Sequence, residues 1–116
     1  MVGGRPRRGE IYWVELNPVV GAEMGKTRPA LVIQNDIGNA NADTTIVATI
    51  TSTSPSRVYP FLVPLPDGTL SKSSMVNCAH LRTVDRARLR GAPITALDSA
   101  VMESVDAALR VSLALN

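Results

Sequence analysis

The chain has 116 residues, 45% of them hydrophobic and 19% charged, enough apolar material for one compact domain and too much for a disordered segment. A domain of that length buries roughly two thirds of its unfolded surface and folds without a disulfide or a metal, and Cys78 and His80, its only cysteine and only histidine, exclude a structural zinc set. The net charge is only +2, yet arginines crowd the start at Arg5, Arg7 and Arg8 and return at Arg82, Arg86, Arg88 and Arg90, an unevenness that suits a polyanionic partner as well as it suits solvated surface.

Residues 1–8 read as a basic, mobile tail and residues 9–116 as a single domain. The basic start is not followed by the apolar run of a signal peptide, and no stretch approaches the roughly 20 apolar residues of a membrane span. With a lone thiol, the expected location is the cytoplasm and no membrane partner is expected. Residues 11–16 begin with β-favouring Ile, Tyr, Trp and Val and predict a strand that ends at Asn17-Pro18. The following loop, residues 17–27 with Gly21 and Gly25, is longer than most connections, as functional loops often are. Pro29 can begin a strand but not sit in its centre, so the second strand is expected over residues 30–34.

Residues 35–39 carry turn chemistry with one helical turn after it, and the β-branched residues 45–51 predict a third strand. After a polar loop, Pro60 and Pro64 confine residues 59–65 to a sheet edge, and Pro66-Asp67-Gly68 turns the chain. Residues 75–78 and 80–84 read as two short strands, and residues 86–90 as a brief helical turn. Met102, Val105, Leu109 and Leu113 then recur at helical spacing, Val101 and Ala108 widen the stripe, and Asp98 stands where it can cap the start. The expected architecture is mainly β (α+β): an SH3-like small β-barrel with a C-terminal amphipathic helix. Among the few aromatics, Trp13 and Phe61 are expected in the core, and Tyr59, at a loop edge beside residues 52–57, is the better base-stacking candidate.

The run Gly21-Ala22-Glu23-Met24-Gly25-Lys26-Thr27-Arg28-Pro29-Ala30-Leu31-Val32-Ile33-Gln34-Asn35-Asp36 resembles the signature of the MazF/PemK toxin family. Arg8-Gly9-Glu10-Ile11-Tyr12 precedes it at the right distance, and Ile46-Val47-Ala48-Thr49-Ile50-Thr51, Tyr59-Pro60-Phe61 and Leu81-Arg82-Thr83-Val84-Asp85 follow, so the resemblance runs from Arg8 to Leu115. It implies the toxin of a type II toxin–antitoxin pair: a homodimeric, sequence-specific endoribonuclease that cuts single-stranded messenger RNA without metal or other cofactor. The products would be a 2′,3′-cyclic phosphate and a 5′-hydroxyl, and a MazE-like antitoxin would silence the enzyme.

The family's catalytic arginine and threonine fall on Arg28 and Thr51. RNA cleaves itself when its 2′-hydroxyl attacks the adjacent phosphorus, so an enzyme need only align the attack, stabilise the added charge and help move protons. Arg28 offers a permanently charged fork of donors and Thr51 a hydroxyl. Glu23 matches a family acidic position and would serve as base or hold Arg28 in place. Lys26, Ser52, Thr53, Arg57, Tyr59, His80 and Arg82 are the expected RNA contacts. His80 stands where the family often has the glutamine of an acidic–glutamine pair, and Ala79 replaces the acidic member; His80 is thus either an RNA contact or a proton donor. Cys78 reads as a small buried hydrophobe. The rival reading is a non-enzymatic, gyrase-poisoning CcdB-like toxin of similar fold, but the C-terminal tryptophan of such toxins is missing.

Overall fold

The structure, a computed structural model, describes residues 5–17, 26–52 and 59–116. The strands are β1 (Glu10–Glu15), β2 (Thr27–Val32), β3 (Thr44–Thr51), β4 (Leu62–Pro64), β5 (Met75–Asp85) and β6 (Leu89–Ala96); α1 (Asp36–Asn41) and α2 (Ser99–Ser112) are the helices. They form one antiparallel sheet in the order β4-β5-β3-β2-β1-β6, with the short, proline-bearing β4 at an edge. This is the mainly β architecture with a C-terminal helix that the periodicities predict.

Period-two alternation gives the sheet two buried faces. On one, Ile11, Leu31, Ala48, Ile50, Val76 and Cys78 pack under Val105 and Ala108 of α2, with Val101, Met102 and Leu109 alongside. On the other, Tyr12, Val14, Leu16, Ala30, Val32, Val47 and Val84 form a second cluster, closed by Leu89. The helix begins as expected: the Asp98 carboxylate accepts from the Val101 N–H at 2.9 Å. Its stripe ends sooner than the spacing suggests, for Leu113 lies beyond the last turn and is 52% exposed.

Four local expectations change. Pro29 lies within β2, not at its start, because residues 27–29 pair with β1 alone and the ladder to β3 covers only Ala30 to Val32. A residue without an N–H is tolerated at such a locally unpaired edge. Residues 75–78 and 80–84 belong to one strand, β5, whose register to β3 jumps: Leu81 pairs with Ala48 but Asn77 with Thr49, leaving Cys78, Ala79 and His80 without partners on β3. The arginine-rich turn is a 3-10 turn, Arg86–Arg88, followed by a strand that sequence patterning missed, β6. Trp13 is 48% exposed: it shares the face of Ile11 but joins neither buried cluster, while its neighbour Tyr12 is buried on the opposite face.

Residues 5–8 make specific contacts. Pro6 is buried, the Arg5 guanidinium donates to the Ala42 carbonyl at 2.7 Å, and Arg8 joins three parts of the chain. Its backbone N–H reaches the Asp36 carboxylate, its Nε the Ile33 carbonyl, and its Nη2 the Asp106 carboxylate of α2, each at 2.7 Å. The hydrogen bond from the Arg8 N–H, with help from the Asn39 side chain, holds the Asp36 carboxyl below its usual range. Among the described residues no helix is long and apolar enough to cross a membrane.

Candidate active site

The β2–β3 register positions the two residues of greatest interest. Ala30 pairs with Thr49, Leu31 with Ala48 and Val32 with Val47. Carried two residues further along each strand, this register sets Arg28 opposite Thr51, with both side chains on the face shared by Ala30 and Thr49. The ladder does not extend that far. The start of β2 stays with β1, where Arg28 pairs with Val14, and the end of β3 stays with β5, where Thr51 pairs with Met75. The strands therefore stop pairing here, and the opening beyond their last shared pair is bordered by an exposed arginine and a half-buried threonine. A guanidinium and a hydroxyl so disposed suit an oxyanion such as a phosphodiester.

The other expected site residues fall into three groups. Glu23, Thr53 and Arg57 lie outside the described residues. Lys26 and Ser52 flank the opening in sequence and are exposed. Lys26 adopts a left-handed backbone, φ 65°, and its N–H donates to the Asn17 Oδ1 at 3.0 Å while its carbonyl accepts from the Leu16 N–H at 2.9 Å. These bonds pinch the base of the long loop.

Tyr59 is exposed, and Phe61 supports one face of its ring at a centroid distance of 5.1 Å and an interplanar angle of 9°. Phe61, half-buried, also packs on the core beneath α2. His80 is exposed within the part of β5 that skips β3, and the preceding Ala79 N–H donates to the Asn77 Oδ1 at 3.0 Å. Arg82 is half-buried and its guanidinium donates to the Leu16 carbonyl, so it braces the loop base as well as contributing charge.

Two further residues escaped the sequence reading. Thr49 sits on the same face as Thr51, 5% exposed, and its hydroxyl has no hydrogen-bond partner among the described residues. The alternation Thr45-Val47-Thr49-Thr51 was a usable signal for it. Arg88 donates to the carbonyls of Glu15, at 3.2 Å, and of Asn17. A charge pattern alone could not separate that task from a phosphate contact.

Groups that would compete for proton transfer are disfavoured elsewhere. Burial, with the Asp106 charge adding to it, pushes the Cys78 thiol up to about 11, which removes it as a nucleophile near neutral pH. The Tyr12 hydroxyl, buried and donating to the Glu10 carboxylate at 3.2 Å, is pushed up to about 12. Among the described residues no three His, Cys, Asp or Glu side chains gather where they could hold a metal ion.

Comparison with known proteins gives a consistent result. Residues 7–113 match the model of a family described as the PemK-like, MazF-like toxin of type II toxin–antitoxin systems. The chain is 43% identical over 111 residues to the protein named Endoribonuclease EndoA of Bacillus subtilis (strain 168), covering 94% of this chain and 95% of that protein. Its fold is similar to a crystal structure of MazF from Deinococcus radiodurans, with TM-score 0.83 and 28% identity over 97% of this chain and all of the other. A crystal form of the MazE–MazF complex of that organism also matches, with TM-score 0.77 and 25% identity over 98% of this chain and 100% of the matched chain.

Proposed function

The chain belongs to the PemK-like, MazF-like family of type II toxins, and on that premise we propose that it is an endoribonuclease that cuts single-stranded RNA by 2′-hydroxyl attack. The observation that supports this reading is the β2–β3 register, which, carried two residues beyond its last pair of Ala30 and Thr49, would bring Arg28 opposite Thr51. A relative of 43% identity bears the name endoribonuclease, which supports the same class of reaction. In the proposed step the 2′-oxygen bonds to the adjacent phosphorus and loses its proton. The bond to the 5′-oxygen breaks, and that oxygen leaves with a proton. The products are a 2′,3′-cyclic phosphate and a 5′-hydroxyl.

Arg28 offers paired donors to the non-bridging oxygens as charge builds on them, and Thr51 adds a hydroxyl donor. Glu23 takes the 2′-proton or steadies Arg28, and His80 contacts RNA or returns a proton to the 5′-oxygen. Lys26, Ser52, Thr53, Arg57, Tyr59 and Arg82 line the path of the strand, with Tyr59 as a stacking surface. Messenger RNA cleavage would then halt translation and growth in the cytoplasm. The 2′-hydroxyl is supplied by the substrate, so cleavage is expected to persist in excess EDTA and to leave 5′-hydroxyl ends. Sequencing those ends from a long RNA treated with purified protein checks both points and yields the cut motif. Ends bearing 5′-phosphate, or loss of activity on chelation, would rule the mechanism out.

We also propose a homodimer silenced by a MazE-like antitoxin. The relative from D. radiodurans crystallises as a MazE–MazF complex. Antitoxins that fold on binding lay extended acidic and apolar segments over such surfaces, so the antitoxin is expected to compete with RNA for the arginine-rich opening. Light scattering at micromolar concentration is expected to give twice the chain mass, and titrating the antitoxin is expected to displace a bound RNA oligomer. A monomer, or a ternary complex of RNA and antitoxin on one toxin, counts against this arrangement.

A further inference from the structure

Near the start of β1 lies a cavity of about 820 Å³, a size common among sites for small molecules. Residues 5–7, the Arg86 end of the 3-10 turn and residues 91–93 of β6 line it, and Tyr12 and Leu89 of the second buried cluster border it too. The room comes from the strand pairing. Trp13 pairs with Arg90 and Ile11 with Thr95, so the intervening part of β6 steps out of the ladder. Gly91, at φ 72°, opens onto free space, for a side-chain carbon there would meet nothing within 4 Å.

Arg5, Arg7 and Arg86 border the cavity together with Glu10, Asp43 and Asp85, but the two sets of charges are unequally engaged. The Glu10 carboxylate accepts from the Arg7 backbone N–H at 2.7 Å and from the Tyr12 hydroxyl at 3.2 Å. Asp85 caps the 3-10 turn through the Ala87 N–H at 2.8 Å. Arg5 donates to the Ala42 carbonyl and lies 4.0 Å from the Asp43 carboxylate. Arg7 and Arg86 differ: among the described residues, neither guanidinium donates a hydrogen bond or lies within ion-pair distance of a carboxylate. Arg7 acts on Asp36 only through space. Arg86 is half-buried, and its backbone N–H is held by the Asp43 carbonyl at 2.9 Å. A guanidinium partly withdrawn from water with no acceptor has lost hydration without return, a cost that a bound anion relieves.

We propose that this cavity binds the phosphate of a nucleotide through the Arg7 and Arg86 guanidinium groups, at a site separate from the Arg28–Thr51 opening. Guanidinium forks match phosphate oxygens two at a time. The neighbouring carboxylates would repel a bare anion, yet they accept from base amino groups and ribose hydroxyls, donors that a nucleotide adds to its phosphate. The place of the cavity fits the same ligand. Val14 is the partner of Arg28, and the length of β1 from Glu10 to Val14 is roughly 13 Å. An RNA strand seated for cutting reaches the cavity within a few nucleotides, and a free mononucleotide carries the same chemical group. The first source deepens the RNA-cleaving reading and rests on it.

The test reads binding with cleavage removed. Wild type, Arg7→Ala, Arg86→Ala and Arg90→Ala, the last an exposed arginine outside the cavity, are titrated with three probes. These are a core RNA oligomer with a 2′-deoxy nucleotide at the cut, the same oligomer lengthened by a few nucleotides at either end, and adenosine monophosphate. Melting curves check folding, and the amide NMR signals of Ala87, Gly91 and Ala92 report the cavity. Lengthening at one end is expected to tighten binding to wild type by about tenfold at about 0.1 M salt and to move those signals. Arg7→Ala and Arg86→Ala should each remove most of the gain and lower the salt slope by about 0.7, with core-oligomer affinity within about threefold of wild type. Arg90→Ala should keep the gain. If lengthening adds nothing but adenosine monophosphate moves the signals in wild type and not in the Arg7 or Arg86 variant, the site stands with a free nucleotide as its ligand. Should Arg86→Ala fail to fold, the exposed Arg7→Ala is read by the same criteria.

Signals unmoved by either nucleotide probe overturn the proposal, as do Arg7 and Arg86 variants that respond like wild type. A glutamate-rich peptide that moves the signals where both nucleotide probes leave them still also overturns it, and makes the cavity a docking point for an acidic protein segment. Failure of the cleavage reading shows elsewhere: if Arg28→Ala cuts at the wild-type rate, the active-site assignment falls, and the binding results decide the cavity on their own.

Discussion

A single 2′-deoxy nucleotide placed immediately 5′ of the scissile phosphate is expected to reduce cleavage to background, while a deoxy substitution elsewhere in the same oligomer leaves it nearly intact. The reason is that the reaction proposed here draws its nucleophile from the substrate. An oriented neighbouring group reacts as though present at an effective concentration of about 10⁵ M or more, an advantage that a water molecule cannot replace. Nothing in the described site offers a substitute. The Cys78 thiol is buried with its pKa pushed up to about 11, and no carboxylate or imidazole cluster gathers around a metal-sized space among the described residues. The substituted oligomer should still bind, since arginines and stacked rings act on phosphates and bases. Binding without cutting is thus the expected pair of results, read by gel shift and by single-turnover assay on one set of oligomers. Persistent cleavage of the deoxy substrate would sink the cyclic-phosphate route and require an external nucleophile.

The parts of this fold that were legible in the sequence are those where burial is one-sided and regular. The run ending at Thr51 is β-branched and alternates, and α2 shows a helical stripe with an aspartate at its cap; both elements lie within a residue or two of their expected bounds. β6 was not legible, because an edge strand exposed along most of its length needs no alternation, and Gly91 and Pro93 are residue types that strands disfavour. There Trp13 pairs with Arg90 and Ile11 with Thr95, so residues 91–94 bulge from the ladder, with Gly91 at φ 72°.

Trp13 was misjudged for a related reason. Alternation tells which face a side chain takes, and says nothing of where the covering helix stops. The candidate site divides in the same way. Nothing in the spacing of Arg28 and Thr51 announces a pair; the family resemblance supplied it, and the β2–β3 register brings the two opposite each other only when carried beyond its last pair, Ala30 and Thr49. Arg82 was expected among the RNA contacts and Arg88 only counted as late positive charge, yet both reach backbone carbonyls, acceptors that no charge count can reveal.

Arg28 and Thr51 should behave as a unit when they are removed. If the guanidinium acts on charge that develops only in the transition state, Arg28→Ala is expected to slow single-turnover cleavage by about two to three orders of magnitude, the scale for losing one such donor. Lysine keeps the charge but not the planar fork, so Arg28→Lys should fall between alanine and wild type. Thr51→Val keeps the shape of the side chain and removes its hydroxyl; it should slow cleavage while RNA affinity stays within about threefold, because the lost contact belongs to the transition state. Neither change is expected to threaten the fold. Arg28 is exposed and Thr51 half-buried at the ends of their strands, and neither is a member of the buried clusters. If the two groups grip one phosphate, the double variant should be less impaired than the product of the single effects. The measurement is single-turnover cleavage of one short RNA by all the variants, with melting curves to establish folding. Near-wild-type rates in folded Arg28→Ala and Thr51→Val would remove the catalytic pair, and a toxin that binds its target without cutting it, as the gyrase poisons do, would become the better account.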